Sequence, residues 1–259
     1  SIEYARIIQT KLLPGEDLLN EVLKDYLLIY MPLSKVSGDF YYANRVDDYI
    51  IFAIADCTGH GIPGALLSVF SISLLHEIIH RDEVKNASKV LEILRIKVKS
   101  TFTFFSTKDL HGLDLSLCSI NTQTNKMQYS GANLPMFLIR DGIIKQFDPV
   151  KNPIGHFYKE EPFKDELIDL QDDDIIYLTT DGFLDQLGSE KRRKLTKRRF
   201  IETLQACAHK SFFEQKEHLL GAYYRWKGQN KQLDDIAILA YKWKEVEKKN
   251  VSMDYSLIK

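Results

Sequence analysis

Aspartate stands at the end or edge of four strongly apolar segments, and this pattern limits the folds open to the chain. The clearest case is residues 49–55 (YIIFAIA), an uninterrupted apolar run typical of a fully buried strand, which Asp56 follows directly. The same context recurs at Asp39, at Asp181 and at the pair Asp234–Asp235. Aspartate is unfavourable in strands, and burying an unpaired carboxylate costs free energy or shifts its pKa. The stability of the fold therefore does not explain why aspartate occupies these positions.

The carboxylates indicate a metal site if the four strand ends meet. Negative charges brought to one place repel each other unless a cation lies among them, and Mg²⁺ and Mn²⁺ prefer oxygen ligands such as aspartate and water. A set made only of carboxylates favours a centre of two such ions over zinc. Sequence spacing does not show that the ends converge, so the alternative remains that each aspartate is a turn or helix-cap residue.

The predicted elements group into an α+β arrangement. Strands are predicted at 26–31, 39–47, 49–55, 114–121, 126–131, 136–140, 143–147, 165–170, 174–180 and 236–242. Helices are predicted at 1–13, 62–80, 88–103, 182–187 and 198–226. Since strands follow one another and helices come in pairs between them, we expect antiparallel sheets with helix layers rather than a βαβ alternation.

The chain is expected to hold one main domain, because no internal boundary is convincing. Residues 1–15 are interpreted as a linker helix that Pro14 and Gly15 end, residues 16–243 as the domain, and residues 244–259 as a charged tail. Since the sequence begins with Ser1, we expect it to be a piece of a longer protein. The alternative for the first helix is that it packs on its own domain.

Composition excludes several classes of protein. A content of 44% hydrophobic and 27% charged residues argues against a disordered chain, and a net charge of -1 gives no global basic field for nucleic acid. Three scattered cysteines fit a reducing, cytoplasmic compartment. Residues 57–76 carry no formal charge, but their glycines, serines and histidines favour a buried core helix over a membrane span. No direct membrane contact is expected from this segment.

Six motifs occur in one order between about residues 30 and 242: PLSKVSGDFYY, ADCTGHGIPGALLS, GLDLSLCSI, SGANLP, LTTDGFLDQLG and DDIAILAY. Together they resemble the SpoIIE-type branch of the metal-dependent serine/threonine phosphatases, relatives of the type 2C enzymes. The resemblance implies an antiparallel β-sandwich flanked by helix layers, with two Mn²⁺ or Mg²⁺ ions at one edge.

The resemblance also implies roles for individual residues. The metal ligands would be Asp39, Asp56, the main-chain carbonyl of Cys57, Asp181 and Asp234, with Asp235 as the second choice for the last position. His60 is a candidate proton donor, or else it shapes its loop, and Lys35 is a candidate phosphate contact, or else a solvated lysine. Type 2C relatives have an aspartate for a third metal where this chain has SGAN, so two ions are expected here.

The activity implied is direct hydrolysis of phosphoserine or phosphothreonine on a regulatory protein, of the anti-sigma-factor antagonist type, in bacterial signalling. An upstream sensor domain, which could anchor the full-length protein to a membrane, would act through the first helix and through homodimer contacts. The alternative function is a phosphoprotein-binding or scaffold module with little turnover. The basic run 191–199 (KRRKLTKRR) is either a solvated helix face or a surface that steers an acidic phosphoprotein.

Overall fold

Two antiparallel β-sheets form the centre of the protein, in a computed structural model that describes residues 2–59, 61–101, 112–189 and 193–245. The first sheet contains, in spatial order, β1 (Tyr26–Met31), β11 (Ile236–Lys242), β10 (Ile175–Thr179), β6 (Met136–Arg140) and β7 (Ile143–Phe147). The second contains β2 (Phe40–Val46), β3 (Tyr49–Cys57), β4 (Gly112–Asn121), β5 (Lys126–Ala132) and β9 (Glu166–Asp169), and β8 (Ile154–Gly155) pairs with β4. These antiparallel pairings confirm the predicted fold class.

Helices cover the outer face of each sheet. They are α1 (Ile2–Leu12), α2 (Glu16–Val22), α3 (Ile62–His76), α4 (Ala87–Thr101), α5 (Gly182–Asp185), α6 (Thr196–Cys207) and α7 (Phe212–Lys227), and a π-helical turn, Glu77–Arg81, extends α3. Helices α3 and α4 pack on the second sheet, whereas α6 and α7 pack on the first. The layers therefore follow the order helix, sheet, sheet, helix.

This layering explains why the central strands are apolar along their whole length. In β11, Leu239 belongs to the hydrophobic core that the two sheets share, whereas its neighbour Ile238 belongs to the core between the first sheet and α5, α6 and α7. Successive side chains of a strand point to opposite faces, and here both faces are covered. A strand in this position buries every side chain, which is the pattern that its sequence shows.

The helix α1 packs on the domain of which it is part. Gln9 is 4% exposed. Its Nε2 donates to Ser37 O at 2.6 Å and to Ser68 Oγ at 2.7 Å, and its Oε1 accepts from Ser37 N at 3.0 Å. Ser68 lies in α3 and Ser37 lies two residues before Asp39. The first helix is thereby joined to the segment that carries a candidate metal ligand.

One helix has the length and composition of a membrane span. Residues Ile62–Arg81 form 20 helical residues that are apolar enough to cross a membrane by these two criteria, and half of the most apolar window is buried inside the protein. Leu67, Ile72 and Leu75 lie in the hydrophobic core. Core packing therefore accounts for the apolar composition of this helix, in agreement with the predicted buried helix at 62–80.

The prediction of a single helix at 198–226 is wrong, because the structure has two helices, α6 and α7, in this segment. Ser211 begins α7 with a capping box in which its Oγ accepts from Glu214 N at 3.3 Å and Glu214 Oε2 accepts from Ser211 N at 3.1 Å. The Ser-x-x-Glu pattern was the available signal for a helix start. The short α2 and β8 were also not predicted, and residues 246–259 of the predicted tail lie outside the described residues.

Candidate functional site

Asp39 is held at the edge where the two sheets meet. It directly precedes β2 and is 2% exposed. Thr180 follows β10 of the other sheet, and its Oγ1 donates to Asp39 Oδ2 at 2.7 Å, while Tyr30 Oη donates to Asp39 O at 3.1 Å. Thr180 Oγ1 also accepts from Ala237 N at 2.9 Å. Thr180 therefore fixes the carboxylate of Asp39, and Tyr30 of β1 fixes its backbone.

The other predicted aspartates come from the same edge. Asp56 lies near the end of β3, Asp181 directly precedes α5, and Asp234 lies shortly before β11. Asp56 and Asp234 line one cavity of about 440 Å³. The charges of Asp181 and Asp234 act on the pKa of both Asp39 and Asp56. The structure thus brings the predicted carboxylates to one edge of the sandwich.

Burial and mutual repulsion raise the pKa values of these carboxyls. Burial is the largest cause for Asp39, partly offset by the Thr180 hydrogen bond, and the charges of Asp235, Asp234 and Asp181 raise the pKa further. Burial is also the largest cause for Asp56, followed by the charges of Asp39 and Asp181. The pKa of Asp181 is raised by burial and then by Asp185 and Asp234. Negative charge at this edge is therefore poorly compensated by the protein.

The donor set fits hard divalent cations. It consists of carboxylate oxygens, which Mg²⁺ and Mn²⁺ prefer, and the neighbouring backbone adds carbonyls. A Cβ on Gly38 would lie 2.8 Å from Gly59 O and 3.0 Å from Cys57 O, so the loop before Asp39 passes close to these carbonyls. Within the described ranges, no three His, Cys, Asp or Glu side chains already surround one point. The fit therefore rests on charge and donor chemistry.

The structure distinguishes Asp234 from Asp235. Asp235 is 3% exposed, and both of its oxygens accept backbone hydrogen bonds, Oδ1 from Leu33 N at 2.6 Å and Oδ2 from Gly38 N at 2.7 Å. Asp234 is exposed, and its Oδ1 accepts from Asp235 N at 2.8 Å. Asp235 therefore anchors the segment that leads to Asp39, which leaves Asp234 as the member of the pair suited to ligate a metal.

The geometry of the described residues does not support Lys35 as a phosphate contact. Lys35 is exposed, and its Nζ lies 3.5 Å from Glu3 Oε2 of α1; it is not among the residues lining the cavity. His60 lies outside the described residues, so its role stays a prediction. The thiol of Cys57 is buried, and burial raises its pKa well above the ordinary value, which argues against a nucleophilic role.

Asp114 is a further carboxylate at this edge that the sequence interpretation missed. It lies in β4 directly opposite Asp56 and lines the same cavity. Asn133 Nδ2 donates to Asp114 Oδ1 at 2.8 Å, and burial raises the pKa of Asp114 to about 6. The available signal was an aspartate inside the predicted strand of the GLDLSLCSI motif, the same anomaly that marked Asp56.

Comparisons with known proteins agree with this fold. Residues 46–244 match the family model described as stage II sporulation protein E (SpoIIE). The structure is similar to the SiaA-PP2C domain of Pseudomonas aeruginosa, with a TM-score of 0.85, 25% identity, and coverage of 94% of this chain and 96% of that one. A search of curated proteins found no match.

Two further solved structures have the same fold. One contains the PP2C phosphatase domain and a fragment of the regulatory domain of SpoIIE from Bacillus subtilis, with a TM-score of 0.69, 17% identity, and coverage of 85% of this chain and 63% of that one. The other contains the RsbU and RsbW domains of a Mycobacterium tuberculosis protein, with a TM-score of 0.70, 19% identity, and coverage of 86% and 61%. The chain spans about three fifths of each of these two structures.

Without metal, the protein should lose stability as the pH rises. Asp39 and Asp56 have raised pKa values when folded, whereas aspartate in the unfolded chain has a pKa of about 3.9, so the folded form binds more protons. Each carboxyl then lowers the free energy of unfolding, by up to about 1.4 kcal/mol per pH unit, from about pH 4 up through its folded-state pKa. Urea unfolding in EDTA should show a lower midpoint at pH 8 than at pH 6.

Asp39→Asn should reduce this slope, and exposed Asp17→Asn in α2 is the matched control that should leave it unchanged. Added Mn²⁺ should restore more stability at pH 8 than at pH 6, because its ligands must be deprotonated. An equal slope for unaltered protein and Asp39→Asn would contradict the prediction.

Proposed function

Because the chain belongs to the SpoIIE family and is a protein phosphatase domain of the PP2C type, we propose that it hydrolyses phosphoserine or phosphothreonine on a regulatory protein, using two Mn²⁺ or Mg²⁺ ions. The observation that carries this proposal is the convergence of Asp39, Asp56 and Asp181 with Asp234 at one edge, where burial and mutual repulsion raise the pKa of the first three. We place the domain in the cytoplasm, where phosphoprotein substrates of this kind occur.

The residues divide into ligands and supports. Asp39, Asp56, Asp181, Asp234 and the carbonyl of Cys57 would hold the ions. Ions held there would supply a lowered pKa of bound water and compensation of the charge on the phosphoryl oxygens, which is the chemistry that direct hydrolysis by water requires. Thr180 orients the Asp39 carboxylate by its hydrogen bond, and Asp235 fixes the backbone of the preceding segment. No side chain of the protein needs to act as a nucleophile.

Hydrolysis of p-nitrophenyl phosphate and of a phosphoserine peptide should require Mn²⁺ and stop in EDTA. Asp56→Asn and Asp234→Asn should each lower kcat/KM by about 100-fold or more, because each removes a ligand. Asp235→Asn should lower the Tm, since it weakens the anchors of Leu33 N and Gly38 N, whereas Asp234→Asn removes a charge that repels Asp39 and Asp56 and should not lower the Tm of the metal-free protein.

Asp17→Asn is the control for loss of a surface charge. Turnover that persists in EDTA would contradict metal dependence. Metal binding without turnover would favour the scaffold module, and absence of metal binding would remove the proposed centre.

A basic surface beside the site supports an acidic phosphoprotein as the substrate. It consists of exposed cations at the start of α6: Arg193, Lys194, Lys197, Arg198 and Arg199. Lys194 Nζ pairs with Asp185 of α5, and Asp181 directly precedes this helix. The guanidinium of Arg199 lies 4.4 Å from the ring centroid of Trp226. These contacts hold the surface next to the carboxylate edge, where it would raise the local concentration of an acidic partner.

Replacing Arg193, Lys197 and Arg198 by serine should test this steering. We expect kcat/KM for an acidic phosphoprotein to fall about tenfold at low salt and to become less salt-dependent, with p-nitrophenyl phosphate hydrolysis unchanged. The matched control replaces three exposed lysines outside the cavity, Lys89, Lys126 and Lys216. An equal fall in the control, or an unchanged salt dependence, would contradict steering.

The helix α1 is the proposed route of regulation and of dimer contact. Its outer side exposes Tyr4, Ile7, Ile8 and Leu12, while Gln9 on its inner side holds Ser37. An exposed apolar stripe on a helix is suited to pack against a second helix. A partner on the outer side of α1 would therefore act on the segment that leads to Asp39.

Removing residues 1–13 should convert a dimer to a monomer in light scattering and lower Mn²⁺-dependent turnover. Gln9→Ala should lower turnover without changing the mass, because it removes the hydrogen bonds to Ser37 and Ser68 but leaves the outer side intact. Lys11→Ala, an exposed position on the same helix, is the control. Identical mass and activity with and without residues 1–13 would contradict the proposal.

A further inference from the structure

Two neighbouring aromatic residues, half-buried Phe157 and exposed Tyr158, lie at the carboxylate cavity. Phe157 lines the cavity, and Tyr158 beside it is 92% exposed, the highest value among the large apolar side chains of the described residues. Their ring centroids are 4.5 Å apart. We refer to Phe157 and Tyr158 as the aromatic pair.

The loop that carries the aromatic pair is anchored on both sides. Before it, Ile154 and Gly155 pair with β4. After it, Glu161 N donates to Asn152 Oδ1 at 2.8 Å and Arg95 Nη1 donates to Glu161 O at 3.0 Å. Lys99 Nζ also lies 2.6 Å from Glu160 Oε1. The rings are therefore presented to solvent by a supported backbone, next to the site.

The lining of the cavity contains both charged and apolar residues. Carboxylates, among them Asp56 and Asp234, form one part of the lining, and Pro153 and Phe157 form an apolar part. A phosphoryl group and metal ions need only the carboxylate part. The apolar part suits the polypeptide that carries the phosphate, because an aromatic ring offers a large contact area at low cost in side-chain entropy.

We propose that the aromatic pair is a substrate-binding subsite that contacts an apolar side chain of the polypeptide next to the phosphoserine. This inference rests on the proposed phosphatase function and adds the chemistry of substrate selection. It predicts discrimination between phosphopeptides by their flanking residues, a preference that the metal ligands alone do not provide.

The test compares three substrates: p-nitrophenyl phosphate, a phosphoserine peptide with leucine on both sides of the phosphoserine, and the same peptide with glycine there. Tyr158→Ala should lower kcat/KM for the leucine peptide about tenfold, mainly through KM, and the double variant with Phe157→Ala should lower it further. Hydrolysis of p-nitrophenyl phosphate should stay within about twofold, and the glycine peptide should change little. Since Tyr158 is almost fully exposed, its loss should not disturb the fold.

Phe213→Ala and Tyr224→Ala are the matched controls, since these rings on α7 are 75% and 52% exposed and do not line the cavity. An unchanged KM for the leucine peptide in the double variant would overturn the proposal, as would an equal loss with p-nitrophenyl phosphate or in the controls. Binding of a fluorescent leucine peptide to the Mn²⁺-loaded protein, with a non-hydrolysable phosphonate in place of the phosphate so that no turnover occurs, tests the subsite separately and should weaken about tenfold in the double variant. Failure of the phosphatase function itself would show as absent turnover of p-nitrophenyl phosphate by the unaltered protein.

Discussion

Mutual repulsion among carboxylates is the constraint on which the rest of this structure depends. Buried Asp39 and half-buried Asp56 lie at one sheet edge under the influence of the charges of Asp181 and Asp234, and the burial of Asp39 strengthens the charge interactions that it makes. Carboxylates that repel each other stay this close together only if other contacts of the fold fix their positions. The hydrogen bond from Thr180 to Asp39 does so across the two sheets. The cost in stability is a direct consequence of a site suited to bind cations.

The supports around the ligands use neutral donors rather than cations. Asp235 accepts from backbone N–H groups of Leu33 and Gly38, and Gln9 makes hydrogen bonds to the backbone of Ser37. A lysine or arginine in these places would compete with metal ions for the carboxylates. The predicted phosphate contact, Lys35, pairs with Glu3 instead and stays exposed. The site is therefore left with negative charge that metal ions can compensate.

The sequence predicts the strands well because the periodicity of apolar residues and the local composition are properties of short segments. The apolar run before Asp56 and the strands around Asp181 and Asp235 stand where expected. Whether the ends of these strands meet depends on contacts between residues that are distant in sequence, and the spacing of the aspartates does not show this. The ligand set was therefore predicted from the family resemblance that the six ordered motifs carry. Asp114 was missed because its partner Asn133 is reached only after β4 and β5 pair. The break before α7 was missed although Ser211 and Glu214 signal it, because apolar periodicity continues across it.

The position of the last strand has a consequence for the order of folding. Among the described residues β11 is the last strand in sequence, yet it lies between β1, the first of them, and β10. During synthesis, β1 therefore has no strand partner until β11 has been made, and its backbone N–H and C=O groups stay unpaired until then. The Asp235 contacts to Leu33 and Gly38 join positions 202 and 197 residues apart, so loop-closure entropy delays them further. The carboxylate edge is accordingly a late product of folding, and a partly synthesised chain carries no assembled site with which to act on phosphate.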